Sequence, residues 1–125
     1  MNLVDSSAWL EYFADGPNAS FFADAIEKTA ELLVPTIVVF EVYKRVRQQR
    51  SARAALEAAA TIRAGRVVDL TITLAMAAAE ISASQKLPMA DSIIIATARA
   101  ENATIWTQDA DFKGLEQVRF RAKKS

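Results

Sequence analysis

Short, unbroken apolar runs alternate along this chain with longer stretches whose apolar positions recur three and four residues apart. Asn2-Leu3-Val4, Leu32-Leu33-Val34, Val67-Val68 and Thr104-Ile105-Trp106-Thr107 are too short for helices and lack polar alternation. That is the pattern of strands buried on both faces. Val118-Arg119-Phe120 is a candidate short fifth strand. Between them the spacing predicts six helices. The first carries Trp9, Leu10, Tyr12 and Phe13, has Ser6 and Ser7 as cap candidates, and stops at Asp15-Gly16-Pro17. The second runs from about Asn18 to Thr29. Thr36, after the Pro35 that ends the second strand, is expected to cap the third, which reaches about Gln49. Ser51 caps an Ala-rich fourth that ends at Gly65; Thr71 or Thr73 opens a fifth to about Gln85. The sixth starts just after Pro88. Strands alternating with helices imply a parallel sheet covered on both sides, a three-layer α/β/α sandwich of four to five strands in a single domain over 1–125.

The sixth helix, Met89 to about Ala98, breaks the pattern in an instructive way. It is apolar almost all round, yet Asp91 lies in its first turn on the stripe of Ile94, Ile95 and Ala98. A carboxylate there loses water and needs a partner, and no Lys or Arg follows until Arg99. A cap that favours the helix dipole is the simpler account of one such residue. The oddity recurs, however. Asp5 ends the first strand, Glu41 lies in the apolar run Ile37-Val38-Val39-Phe40-Glu41-Val42-Tyr43, and Asp109 with Asp111 follows the fourth strand. In open parallel sheets the carboxyl ends of the strands form the binding crevice.

Composition narrows the chemistry. Hydrophobic residues make up 52% of the 125, too many for disorder, and no apolar run reaches the ~20 residues of a membrane span. The N-terminus has no basic region and no long apolar core, so a cytoplasmic protein without a signal peptide is expected. There is no His and no Cys, which removes the Ser-His-Asp triad, thiol nucleophiles and ordinary zinc sites. Catalysis is left to carboxylates, hydroxyls, Lys, Arg or a metal held by oxygen, and oxygen ligands favour Mg²⁺ or Mn²⁺. Converging carboxylates without cations repel one another and attract such ions. Ions of this kind can activate water against a phosphodiester. Thr107 and Ser6 are candidates to orient the acids by hydrogen bonds.

Net charge is zero, but it is unevenly spread. Lys28 is the single base of residues 1–41, whereas Lys44, Arg45, Arg47, Arg50, Arg53, Arg63 and Arg66 crowd the next segment against Glu57 alone. Arg119, Arg121, Lys123 and Lys124 follow near the end. A neutral total thus hides a basic surface beside an acidic one, and Arg47 and Arg50 are candidate contacts to a nucleic-acid backbone.

Val4-Asp5-Ser6-Ser7, Glu41 in the third helix, Leu87-Pro88-x-x-Asp91-x-x-Ile94 and Thr107-x-Asp109-x-Asp111-Phe112 together resemble the PIN-domain family, and within it VapC-type toxins of toxin–antitoxin modules. The likeness spans essentially the whole chain; no single motif is specific, but the order and spacing are. It implies a metal-dependent endoribonuclease with sheet order 3-2-1-4-5 that cuts structured RNA in loops. Asp5, Glu41, Asp91 and Asp109 fall on the acidic tetrad that would act in catalysis and hold Mg²⁺ or Mn²⁺; Asp111 falls where members differ. A cognate VapB-like antitoxin and a homodimer are the partners implied.

The alternatives are a PIN ribonuclease outside any toxin pair and a non-catalytic RNA- or protein-binding module. A dehalogenase-like phosphatase would want Asp-x-Asp after the first strand, where Ser7 stands instead; a receiver domain would want its phosphoacceptor after the third, where only Asp69 offers. Trp9, Tyr12 and Phe13 carry more aromatic surface than a thin layer covers, which suggests a protein-facing groove, unless all three pack inside.

Overall fold

The computed structural model describes residues 1–124. Its elements run β1 (Asn2–Val4), α1 (Ser6–Phe13), α2 (Ala19–Ile26), β2 (Leu32–Pro35), α3 (Thr36–Gln49), α4 (Ala52–Ile62), β3 (Arg66–Val68), α5 (Ile72–Gln85), α6 (Met89–Ala100), β4 (Thr104–Thr107) and β5 (Val118–Phe120). Single 3₁₀ turns at Thr29–Glu31 and Ala110–Phe112 complete it. The strands form one sheet, β3-β2-β1-β4-β5, parallel at every pairing.

Side chains alternate along a strand, so Ile105 and Trp106 point to opposite faces. Phe21 of α2 packs on Trp106 with ring centroids 5.2 Å apart, while Ile95 and Ala98 of α6 share a small cleft with Ile105. Helices therefore cover both faces, and the core lies in two layers. Leu3, Leu33 and Val34 are fully enclosed, as unalternating apolar strands require. In α3 the buried stripe is Val38, Val42 and Val46, four residues apart, so Glu41, Arg45 and Gln48 occupy a neighbouring stripe. Ala54, Ala55, Ala58 and Ile62 form the buried face of α4, small enough to let it lie close on α3.

Three expectations are corrected by local chemistry. Asp5, not Ser6 or Ser7, caps α1, its side chain accepting from Ala8 N–H. Pro35 occupies the cap position of α3, and Thr36 is already helical without a side-chain cap; proline's fixed φ suits the extended residue just outside a helix. The predicted aromatic groove is not intact either. Trp9 is fully buried and stacks on Phe13 at 5.6 Å, leaving only Tyr12 and Phe13 half-buried. The helix turns Trp9 inward with Ala8, because that flank of α1 meets the sheet. Thr71 and Ser51 cap α5 and α4 as expected. Among the described residues no helix is long and apolar enough to cross a membrane.

Candidate active site at the sheet's switch point

β1 and β4 are neighbours, and the chain leaves them in opposite directions: β1 toward β2, β4 toward β5. This is the point where connections diverge and a crevice opens at the carboxyl ends of the strands. Asp5 follows β1 there and Asp109 follows β4.

Asp5 is 2% exposed and thoroughly anchored. Its Oδ1 accepts from Ser7 Oγ at 2.8 Å and from Ala8 N–H at 3.0 Å; its Oδ2 accepts from Thr107 Oγ1 at 2.5 Å. Thr107 Oγ1 in turn accepts from Asp109 N–H at 2.9 Å. One hydroxyl thus ties the ends of two strands together and aims both acids. Burial raises the Asp5 carboxyl from 3.8 to about 6, with Asp109 adding to the rise, although its three hydrogen bonds pull the other way.

Asp91, half-buried in the first turn of α6, meets Asp109 and Asp111. Each of the three offers a carboxylate oxygen, and these oxygens lie within 4.8 Å of one another. Asp109 Oδ1 accepts from Asp111 N–H at 2.9 Å, the turn that brings Asp111 round. Desolvation, a proton shared with Asp111, and the charges of Asp109, Asp111 and Asp5 push Asp91 from 3.8 to about 7. No cation pairs with this group among the described residues. A hard-oxygen set that resists ionising together fits a divalent ion such as Mg²⁺ or Mn²⁺, which would replace the shared proton.

Glu41 stands apart from that trio. It accepts from Ser6 Oγ at 2.9 Å and lines a cleft of about 370 Å³ with Ser6, Ile37, Arg45 and Met89. Arg45, one turn further along α3, makes no ion pair with it among the described residues. Ser6 and Ser7, adjacent on α1, therefore orient two different acids, Glu41 and Asp5.

A second cleft, about 440 Å³, lies beside the first and shares Leu10 and Arg45 with it. Ser7, Glu11, Gln108, Asp109 and Lys123 also line it. Sequence reasoning missed Glu11, Arg45 and Lys123. Arg45 was discoverable, since it lies four residues after Glu41 on one helical stripe. Glu11 was not, because it is buried by a turn: its carboxylate accepts from Asn18 N–H at 2.8 Å across the Asp15-Gly16-Pro17 break. Arg47, in the last turn of α3, and Arg50, just past its end, are exposed, and neither lines either acidic cleft; Arg50 borders a small hollow with Leu10 and Phe13.

The family model of the PIN domain matches residues 3–117. A search by sequence among curated proteins matched none of them. Among solved structures the chain is similar to a toxin-antitoxin complex from Klebsiella pneumoniae, at TM-score 0.83 and 18% identity over 99% of this chain and 100% of that one. It is similar also to Mycobacterium tuberculosis VapC20, a sarcin-ricin loop cleaving toxin, at TM-score 0.80 and 21% identity over 94% and 97%. The Rickettsia felis VapBC2 complex bound to a promoter DNA fragment aligns at TM-score 0.74 and 15% identity, covering 98% of each chain.

Proposed function

The chain belongs to the PIN domain family, and on that premise we propose that it is a Mg²⁺- or Mn²⁺-dependent endoribonuclease, the toxin of a VapBC-type pair. The observation that carries the reading is the convergence of carboxylate oxygens of Asp91, Asp109 and Asp111 within 4.8 Å, beside buried Asp5, with no ion pair to these acids among the described residues. Burial and the neighbouring acids hold Asp91 well above the usual carboxylate range. The structural neighbours that are toxins or toxin–antitoxin complexes support the assignment to a toxin pair.

Asp91, Asp109 and Asp111 would hold the ion, with Asp5 and Glu41 completing the acidic wall. A divalent cation bound there supplies Lewis-acid polarisation of the phosphoryl oxygens and a lowered pKa for water. The protein's own part is positioning. Thr107 and Ser7 keep Asp5 from turning, and Ser6 does the same for Glu41. Arg45, shared by the two clefts, offers a fork of donors to the phosphate next to the scissile one. RNA as substrate, a VapB-like antitoxin as partner, and a cytoplasmic site of action follow from the same reading.

The test is cleavage of a structured RNA by purified protein, with Mg²⁺ or Mn²⁺ against chelator, read by sequencing new 5′ ends. Cuts confined to single-stranded loops, absent in chelator and reduced ~100-fold or more in Asp91→Asn, are expected. Metal-independent cutting, or full activity in Asp91→Asn, would overturn it.

A further inference from the structure

Arg119 and Arg121, at the end of the chain, are both exposed. Two residues apart on an extended backbone, their side chains leave on the same face, about 7 Å from one another. Each lies over an aromatic ring rather than against a carboxylate. Arg119 Cζ is 4.4 Å from the ring centroid of Trp106, and Arg121 Cζ is 4.1 Å from that of Phe21. Neither makes an ion pair with a described carboxylate. A guanidinium stacked on a ring keeps its in-plane N–H donors available while losing much of its rotamer freedom, so less entropy is lost when it binds.

The backbone beneath is held too. Arg121 N–H donates to Thr107 O at 3.0 Å, and Asn18 Nδ2 donates to Ala122 O at 3.0 Å. Two residues further on, Lys123 lines the cleft that contains Asp109 and Arg45. Cations at every second residue thus lead from the Phe21–Trp106 shelf into the acidic cleft.

We propose that Arg119, Arg121 and Lys123 form the track on which a single strand of RNA lays successive phosphates as it enters the cleft, with Phe21 and Trp106 holding the two forks in place. The inference rests on the ribonuclease reading above. RNA fits better than an acidic protein segment, because evenly spaced cations, two of them planar guanidinium forks without an ion-pair partner among the described residues, match a repeating phosphate chain. Arg47 and Arg50 have no such shelf and lie outside both acidic clefts.

The experiment is fluorescence anisotropy of a labelled single-stranded RNA across a salt series, in chelator so that nothing is cut. Arg119→Gln with Arg121→Gln should reduce the slope of log affinity against log salt by about 1.4, roughly 0.7 for each phosphate no longer neutralised. Lys123→Gln, away from the rings, should reduce it by about 0.7. Phe21→Leu keeps both charges and should weaken binding with the slope near the parent's, a pattern that a merely structural role of the arginines does not give. Thermal melts check that each variant is folded. The track is overturned if the Arg119/Arg121 pair and Lys123→Gln keep the parental slope, or if only Arg47→Gln with Arg50→Gln lowers it. It is equally overturned if the tail variants bind RNA normally but lose a co-expressed antitoxin, since the surface then serves a protein. Metal-dependent cleavage by the parent is measured on the same preparation. A parent that neither binds nor cuts RNA sinks the ribonuclease reading; a parent that cuts while the slopes stay unmoved sinks only the track.

Discussion

At the scale of single residues, the site is governed by protons. Asp5 is raised to about 6 by burial, and Asp91 to about 7 by burial and neighbouring acids. A carboxyl with a raised folded pKa binds its proton more tightly folded than unfolded. Its contribution to stability is full below the unfolded value, near 3.8, and is lost as pH rises through 6 and 7. Metal-free protein should therefore melt lower at pH 7.5 than at pH 5. Asp91→Asn, which removes the most strongly shifted acid, should melt higher than the parent in chelator at pH 7.5 and show a flatter pH profile. Adding Mn²⁺ should raise the parent most, because the ion binds the folded, deprotonated cluster. Scanning calorimetry at the two pH values, with and without Mn²⁺, reads all of this. A parent indifferent to metal and a destabilised Asp91→Asn at both pH values would show that the acids act separately.

Elements matter because they carry these residues as a set. The helical stripe Glu41, Arg45, Gln48 lines one cleft only because Val38, Val42 and Val46 turn the other side of α3 into the core. The end of α1 shows the same dependence in reverse. A Cβ on Gly16 would come within 2.5 Å of the Glu11 carboxylate, which holds the buried Asn18 N–H. Gly16→Ala should push Glu11 out, orphan that N–H and cost about 1–3 kcal/mol, read as a lower urea midpoint. An unchanged midpoint would mean that Glu11 has another home. Trp9 is the opposite case. Because it is fully buried, Trp9→Ala should cost about 3–5 kcal/mol by leaving a cavity, and any failure of that variant to bind a partner would reflect unfolding.

The whole molecule adds surfaces that no one element owns. Leu70, Ala78, Met89 and Ile93 line an apolar cleft of about 490 Å³ between α5 and α6, and Ile72 and Met76 stand exposed near it at 81% and 66%. Apolar area of that kind is what a second copy of the chain would cover, in line with the dimer expected from the resemblance. Ile72→Glu with Met76→Glu should then yield a monomer by light scattering with its melting temperature little changed. A parent already monomeric at tens of micromolar, or a double variant that still dimerises, would show that this face is not the dimer contact. The charge pattern also acts at this scale: bases far apart in the chain, Arg45 and Lys123, share one wall of the acidic crevice.

The sequence by itself determined the class of fold and the chemistry open to it. Unalternating strands such as Leu32-Leu33-Val34 demand cover on both faces, and the absence of His and Cys leaves oxygen donors alone. Both are local or compositional facts, so no tertiary contact is needed to read them. The acids too were legible, because a carboxylate within an apolar stripe, as at Asp91, is conspicuous in one dimension. Which of them meet was decided only by the tertiary structure. Asp111 joins Asp91 and Asp109 while Glu41 is bound by Ser6 instead, since the turn after β4 and the placement of α3 depend on packing. Glu11 and Lys123 were hidden for the same reason: their meaning lies in a wall built from α1, α3 and the tail, and only Arg45, one turn after Glu41 on the same helical stripe, could be read from spacing.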